Sequence, residues 1–362
     1  MKKLRIAYFI SSHGFGHASR STAIMEAVLR KNPSVQFDIY SGTPEWFFRD
    51  AGLKAPVFHA VAVDVGLFQK SPMEHDIPVT IRLLHEYLEE IPSRASVFAN
   101  ELKVSGTDLV LCDISPLGIV TAKKAGIPCV LFENFTWDWM YRPYEEKYPE
   151  FREINDRLQE IFSLPDYRLQ SDPLCEVSPR QTLFIPPVSR STRESADALR
   201  KRLGVPEGNR MGMITMGGIP EKMEFALGHE VPEGITLVLC GTFEKHEKRG
   251  SMILLPHHSD FYHPDLVHAS DFLVGKAGYS TIGEVCNSGA AYGYIERDDF
   301  RESSFTAAFL KKRPNTLEID PIRFQNFELD QEIAQLLSLG KIAPQPVNGS
   351  EIASDFILGL LQ

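Results

Sequence analysis

Short apolar runs alternate with amphipathic stretches along the whole chain. In the first half, the runs at 4–10 (LRIAYFI), 35–41, 57–63, 108–113 and 128–133 are brief, bounded and rich in β-branched or aromatic residues, which predicts strands. Helical spacing fills the gaps at 19–32, 44–52, 80–106 and 117–126, and Gly52, Gly106 and Gly126 stand where a helix C-cap needs a left-handed residue. Strand and helix in strict alternation imply parallel βαβ units with right-handed crossovers.

A second alternation follows the proline-bearing stretch LFIPPVSR at 183–190. Strands are expected at 211–217, 236–241, 252–256, 271–275 and 290–296, and helices at 280–289 and 303–312. Pro186 and Pro187 continue neither a helix nor a central strand, so the domain boundary is expected there. The fold class predicted is α/β: two doubly wound, Rossmann-like domains facing across a cleft, 1–186 and 187–349, with a short apolar helix at 350–362.

Composition narrows the function classes. A chain of 362 residues, 43% hydrophobic and 24% charged, is ordinary for two globular domains. A formal net charge of −10 excludes a phosphate-neutralising nucleic-acid surface, though not a local pocket for one phosphorylated small molecule. The five cysteines (Cys112, Cys129, Cys175, Cys240, Cys286) are odd in number and show no close spacing of a zinc or redox motif, which predicts free buried thiols. The apolar run after Met1-Lys2-Lys3 is too short for a leader and no stretch is long enough to span a bilayer, so a cytoplasmic protein is expected.

Two glycine-rich turns carry the candidate chemistry. HGFGHAS (13–19) follows the first strand and holds Gly14-x-Gly16-x-x-Ser19, near the dinucleotide fingerprint. The acidic residue that a dinucleotide ribose needs is missing, because Ser41 stands at the end of the second strand. The glycines still expose amides at a helix start, which suits an anion or a sugar hydroxyl, and His13 or His17 is either a turn residue or a general base. The second turn, VGKAGYSTIGEV (274–285), places Lys276, Gly278, Ser280 and Thr281 where a helix N-terminus meets a diphosphate, and Glu284 where it accepts from a ribose diol. Gly217 and Gly218 form another turn at a strand end, able to approach a phosphate. The cluster His257, His258, Asp260 and His263 has the residue types of a metal site, and no cofactor is expected.

These two turns together resemble the GT-B glycosyltransferases, near the family that adds N-acetylglucosamine to lipid-linked muramoyl peptide. The blocks HGFGHASR (13–20), 112–141, 263–285 and YIERDDFRESSF (294–305) resemble more specifically the N-terminal glycosyltransferase-like domain of L-arabinokinases and its free-standing relatives. No second glycine-serine phosphate loop of the kind their kinase half carries is found in the sequence.

The resemblance implies a nucleotide-sugar donor, a UDP-sugar, bound by the second domain, and a small-molecule or glycan acceptor bound by the first. It implies that the terminal helix returns to the first domain, that transfer needs no metal, and that His17 falls on the loop histidine. Glu284 falls on the ribose-binding glutamate, and Asp298, Asp299 and Glu302 on the loop that contacts the donor sugar, where many relatives carry Asp-Gln. On the acceptor or sugar side stand His13, Gly14, Gly16, Asn134, Trp137 and Asp138, with Trp137 and Trp139 offered as stacking rings. His17 or Asp113 is expected as the base. A nucleotide-sugar epimerase, a non-catalytic sugar-nucleotide sensor and, last, a dinucleotide oxidoreductase stand as the alternatives.

Overall fold

A computed structural model describes residues 4–53, 56–71, 74–217, 223–296 and 300–362. The chain divides into two compact units, one of residues up to Val188 together with Gly349–Gln362, the other Ser189–Asn348.

In the first unit, β1 (Arg5–Ile10), α1 (Phe15–Lys31), β2 (Gln36–Ser41), α2 (Glu45–Asp50) and β3 (Val57–Ala60) lead through a small hairpin, β4 (Gln69–Ser71) and β5 (Glu74–His75), to the long helix α3 (Ile77–Ser105). Then follow β6 (Leu109–Asp113), α4 (Pro116–Ala125), β7 (Cys129–Glu133), α5 (Trp137–Tyr141), α6 (Phe151–Phe162), β8 (Tyr167–Ser171) and β9 (Leu183–Ile185). Apart from the hairpin, the strands form one parallel sheet of seven in the order β3-β2-β1-β6-β7-β8-β9. Local chemistry sets the helix ends: the Asp76 side chain caps α3 by accepting from Val79 N at 3.1 Å, Ser115 caps α4 by accepting from Gly118 N at 3.0 Å, and both helices stop at left-handed glycines.

One face of this sheet buries Ile6, Tyr8, Ile39, Leu111 and Phe132 against α1 and against the C-terminal helix Gly349–Gly359, which contributes Ala353 and Ile357. Lys31, in the last turn of α1, reaches Asp355 of that helix at 2.6 Å.

The second unit repeats the plan. Its elements are α7 (Ala196–Leu203), β10 (Arg210–Thr215), β11 (Ile235–Phe243), β12 (Glu247–Arg249), β13 (Met252–Pro256), α8 (His263–Ala269), β14 (Phe272–Lys276), α9 (Tyr279–Ser288), β15 (Ala291–Ile295), α10 (Ser303–Leu310) and β16 (Thr316–Glu318), followed by two further helices. The order is β12-β13-β11-β10-β14-β15-β16, parallel except for the β12–β13 pair. Both sheets are thus doubly wound, as the alternating pattern predicts.

In each sheet the strand order reverses beside the first strand, between β1 and β6 and again between β10 and β14. The crevice outside the carboxyl ends of strands at such a switch point is where open α/β sheets bind ligands. The glycine-rich turns predicted to carry chemistry follow β1 and β14, so each lies at a switch point.

The β10–β14 seam is tight. A Cβ on Gly275 would stand 2.0 Å from the carbonyl oxygen of Thr215 on the neighbouring strand. Gly275→Ala is therefore expected to lower stability by about 1–3 kcal/mol, the usual range for overpacking, with more where backbone must move. A urea-denaturation midpoint equal to that of the wild type would disprove this account of the seam.

Candidate functional site

The first cluster gathers at the ends of β1, β6 and β7. Gly14, at φ +79°, precedes the first turn of α1, so the helix starts at Phe15 and already contains Gly16 and His17. This is earlier than the spacing at 19–32 indicates. His17 and Arg20, one turn apart on α1, both face the end of β6. There His17 Nδ1 lies 2.7 Å from Asp113 Oδ1. Arg20 grips the same carboxylate with two arms, Nε to Oδ2 at 2.6 Å and Nη2 to Oδ1 at 2.5 Å, and Ser21 Oγ donates to Oδ2 at 3.0 Å.

Asp113 is fully buried. Burial alone would raise its pKa, but Arg20 and His17 outweigh that and hold it at about 2. A carboxylate saturated with donors and closed to solvent does not take a proton from an acceptor. Of the two residues expected as the base, Asp113 is thus enclosed by donors, and His17 has one ring nitrogen against it. When Nδ1–H donates to Asp113, the other ring nitrogen, Nε2, carries the lone pair.

The Asn134 amide is engaged within the protein. Its Oδ1 accepts from Arg20 Nη1, and its Nδ2 donates to the carbonyls of Ser171 (2.6 Å) and Pro173 (3.0 Å). It fixes Arg20 and ties the end of β7 to the end of β8. Trp137 is 1% exposed and Trp139 2%, so neither offers an open ring face to a sugar. Trp137 packs between Phe135 and Tyr141 and donates from Nε1 to Asp64 at 3.0 Å. His13 sets its ring edge-on to Trp137, with centroids 5.4 Å apart. Asp138 pairs with Arg142 at 3.4 Å, beside a separate cavity.

The sequence pattern does not reveal Asp64. It lies in the irregular segment after β3, which the apolar run at 57–63 presents as strand. Burial pushes its carboxyl up to about 6, against hydrogen bonds from Ser11 and Trp137 and the nearby His17. Tyr87 and Tyr141 hold the same segment through the carbonyls of Val63 and Gly66.

The second cluster forms at the ends of β10 and β14. Gly278 precedes α9 without a side-chain cap, and the leading N–H groups of a helix lie outside its own hydrogen-bond ladder. Ser280 and Thr281 occupy the first turn of α9. The Tyr292 hydroxyl donates to the Lys276 carbonyl at 2.5 Å, fixing the turn that leads into the helix. Gly217 is brought against Lys276, whose Cε would stand 2.9 Å from a Cβ placed on that glycine.

Glu284, one turn further along α9, is buried and held from two sides. Arg190 Nη2 donates to Oε1 at 3.0 Å, and His263 Nδ1 meets Oε2 at 2.7 Å. Burial raises its pKa, but His263 and Arg190 more than reverse this and keep it ionised. His263 Nε2 lies 3.4 Å from Thr215 Oγ1, which accepts from Gly217 N at 3.3 Å, so one chain of polar contacts runs from Arg190 to the β10 turn. Among the described residues no group of three or more potential metal ligands comes together. A cavity of about 240 Å³ opens beside Glu284, lined also by Arg190, Ser191, Thr192, His268 and Asn287.

Glu302 stands at the start of α10. Gly218, Asp298 and Asp299 lie outside the described residues. Among the described residues no helix is long and apolar enough to cross a membrane.

No protein-family model matches the chain. A similar curated protein is an L-arabinokinase of Arabidopsis thaliana, 26% identical over 364 residues that cover 98% of this chain but 34% of that protein. The chain thus spans about a third of that relative. Among solved structures, the glycotransferase of kitacinnamycin aligns over 99% of this chain and 100% of its own, with TM-score 0.63 and 14% identity. MurG of Acinetobacter baumannii aligns over 99% and 100%, with TM-score 0.56 and 12% identity. A UDP-glucosyltransferase from Polygonum tinctorium aligns over 99% and 98%, with TM-score 0.60 and 12% identity. These likenesses, spread over the whole chain, show that the fold is GT-B.

Proposed function

We propose that the chain transfers a sugar from a nucleotide-sugar donor, a UDP-sugar, to the hydroxyl of a small-molecule or glycan acceptor. The observation that carries this reading is the His17–Asp113 contact of 2.7 Å, built on α1 directly after β1 at a switch point of the sheet. His17 Nε2 takes the proton of the acceptor hydroxyl as its oxygen attacks the anomeric carbon, and the donor's diphosphate departs. Asp113 is the positioning residue: it holds the ring by accepting from Nδ1–H. The UDP-glucosyltransferase among the structural neighbours supports the choice of nucleotide.

On the donor side, the start of α9 and Lys276 offer oriented dipoles and a full positive charge to the leaving diphosphate. Each oxygen of Glu284 already carries one donor and keeps capacity for a second, which the ribose hydroxyls supply. Gly218, Asp298, Asp299 and Glu302 remain assigned to the donor by the resemblance alone. No step requires a metal ion, because the dipoles and Lys276 meet the developing charge.

Glu284→Ala is expected to weaken UDP-sugar binding by about 1–3 kcal/mol, the loss of a charged, buried hydrogen-bond acceptor. Calorimetry with UDP, GDP, ADP, TDP and their sugar conjugates checks both the site and the base. Affinity unchanged in the variant would remove the ribose role of Glu284. Binding of NAD in place of any sugar nucleotide would overturn the donor reading.

A further inference from the structure

Two partners hold the buried carboxylate of Glu284, and one of them is enough to balance its charge. Arg190 pairs with Oε1 at 3.0 Å. His263 adds a second contact, Nδ1 to Oε2 at 2.7 Å, and then reaches further, with its Nε2 3.4 Å from Thr215 Oγ1. An imidazole carries two polar nitrogens on one rigid ring, so it joins groups that a flexible side chain would hold separately.

The ring is itself fixed. His263 opens α8, and Pro264 follows it with a backbone already set for a helix. On its other side, the Tyr262 ring lies under the guanidinium of Arg193 at 3.7 Å and that of Arg190 at 5.0 Å. Arg193 N donates to Asp265 Oδ1 at 2.7 Å. The segment that carries Arg190 and the start of α8 therefore hold each other in place, with Glu284 gripped between Arg190 and His263.

Thr215 stands at the far end of the bridge. It is the last residue of β10, and its Oγ1 accepts from Gly217 N at 3.3 Å. In register it lies beside Gly275 of β14, one residue before Lys276. The seam around it is closed: a Cβ on Gly275 would meet the Thr215 carbonyl oxygen at 2.0 Å, and one on Gly217 would meet Lys276 Cε at 2.9 Å. A displacement of Thr215 therefore moves the turn after β10 and the turn after β14 together. Thr215 is 2% exposed and Glu284 4%, so the contacts that link them are strengthened by a low local dielectric.

We propose that His263 is a positioning residue that couples the two ends of the donor site. Through Glu284 it sets the carboxylate that meets the ribose, and through Thr215 it sets the turns that meet the diphosphate. Order at one end then raises affinity at the other. The coupling rests on the nucleotide-sugar reading given above.

The test is isothermal titration calorimetry of the full chain with UDP and, separately, with uridine, which lacks the diphosphate. Three single variants are used: Thr215→Val removes the hydroxyl, Thr215→Ser keeps it, and His263→Phe keeps a ring without nitrogens. Thr215→Val is expected to weaken uridine about threefold or more, although its hydroxyl belongs to the diphosphate end. Thr215→Ser is expected to keep the wild-type value. In a His263→Phe background, Thr215→Val is expected to leave uridine affinity unaltered, because the bridge is already broken. Uridine affinity that ignores Thr215→Val, in a wild type that binds UDP, overturns the coupling and leaves the donor reading standing. An equal loss from Thr215→Val with and without His263 overturns it too, since the effect then does not pass through the ring. A wild type that binds neither ligand overturns the donor reading and the coupling with it. Should His263→Phe fail to fold in a thermal melt, the contrast between Thr215→Val and Thr215→Ser decides by itself.

Discussion

His17→Ala is expected to lower turnover by about 10²–10⁴-fold, the range that a positioned general base contributes. UDP-sugar affinity should stay at the wild-type value, because His17 belongs to the first unit and the donor cluster to the second. Asp113→Asn should act in the same direction, since an amide presents no full charge to the Nδ1–H and breaks the fork that Arg20 makes. Steady-state rates paired with calorimetric donor affinities separate the outcomes. Turnover retained in His17→Ala would end its assignment as the base. A fall in donor affinity that matches the fall in rate would make His17 a binding residue instead.

Arg20→Met is expected to be the most destabilising single change in the first cluster. It removes both nitrogens that fork onto Asp113 and the contact to Asn134, and leaves a fully buried carboxylate with only His17 and Ser21. Breaking a buried ion pair from one side costs about 3–5 kcal/mol. In a unit of this size that lowers the melting temperature by on the order of 10 °C.

The pH dependence has a definite sign. Asp113 is held at about 2 against an ordinary 3.8, so its contribution is complete above pH 3.8 and is lost as pH falls through about 2. In Arg20→Met the carboxyl titrates higher, and acid unfolding should begin at higher pH. A variant with wild-type melting and acid midpoints would show that the pair contributes nothing net.

The doubly wound plan was legible because most strands are apolar runs with turn residues at both ends, as in LRIAYFI and PCVLFE. Strands β8 and β9 were not. YRLQS places Arg168 and Gln170 inside a sheet, where they serve Glu133 rather than a hydrophobic layer, so the pattern resembles a loop. The glycine-rich turns announced where a helix would start after a strand, since such a turn favours those residues.

The partners of the marked residues were hidden by distance along the chain. Arg190 is 94 residues from the Glu284 it holds, and Asp113 is 96 from His17. Nothing in the pattern around Trp137 separates a ring that stacks on sugar from one that packs under a loop. Its Nε1 bond to Asp64, 73 residues away, is a contact that no local pattern shows.

The return of the Gly349–Gly359 helix to α1 makes the first unit discontinuous in sequence, with all of Ser189–Asn348 lying between its two parts. Ser189 and Asn348 pair at the two crossings, N to Oδ1 at 3.1 Å and Nδ2 to O at 2.7 Å. On the ribosome, Ser189–Asn348 therefore exists in full before the sheet begun at Arg5 receives Ala353 and Ile357. The first unit is thus the last to be complete, although domains generally fold in order of synthesis. Until those last turns emerge, the apolar cluster on this side of the sheet lacks Ala353 and Ile357.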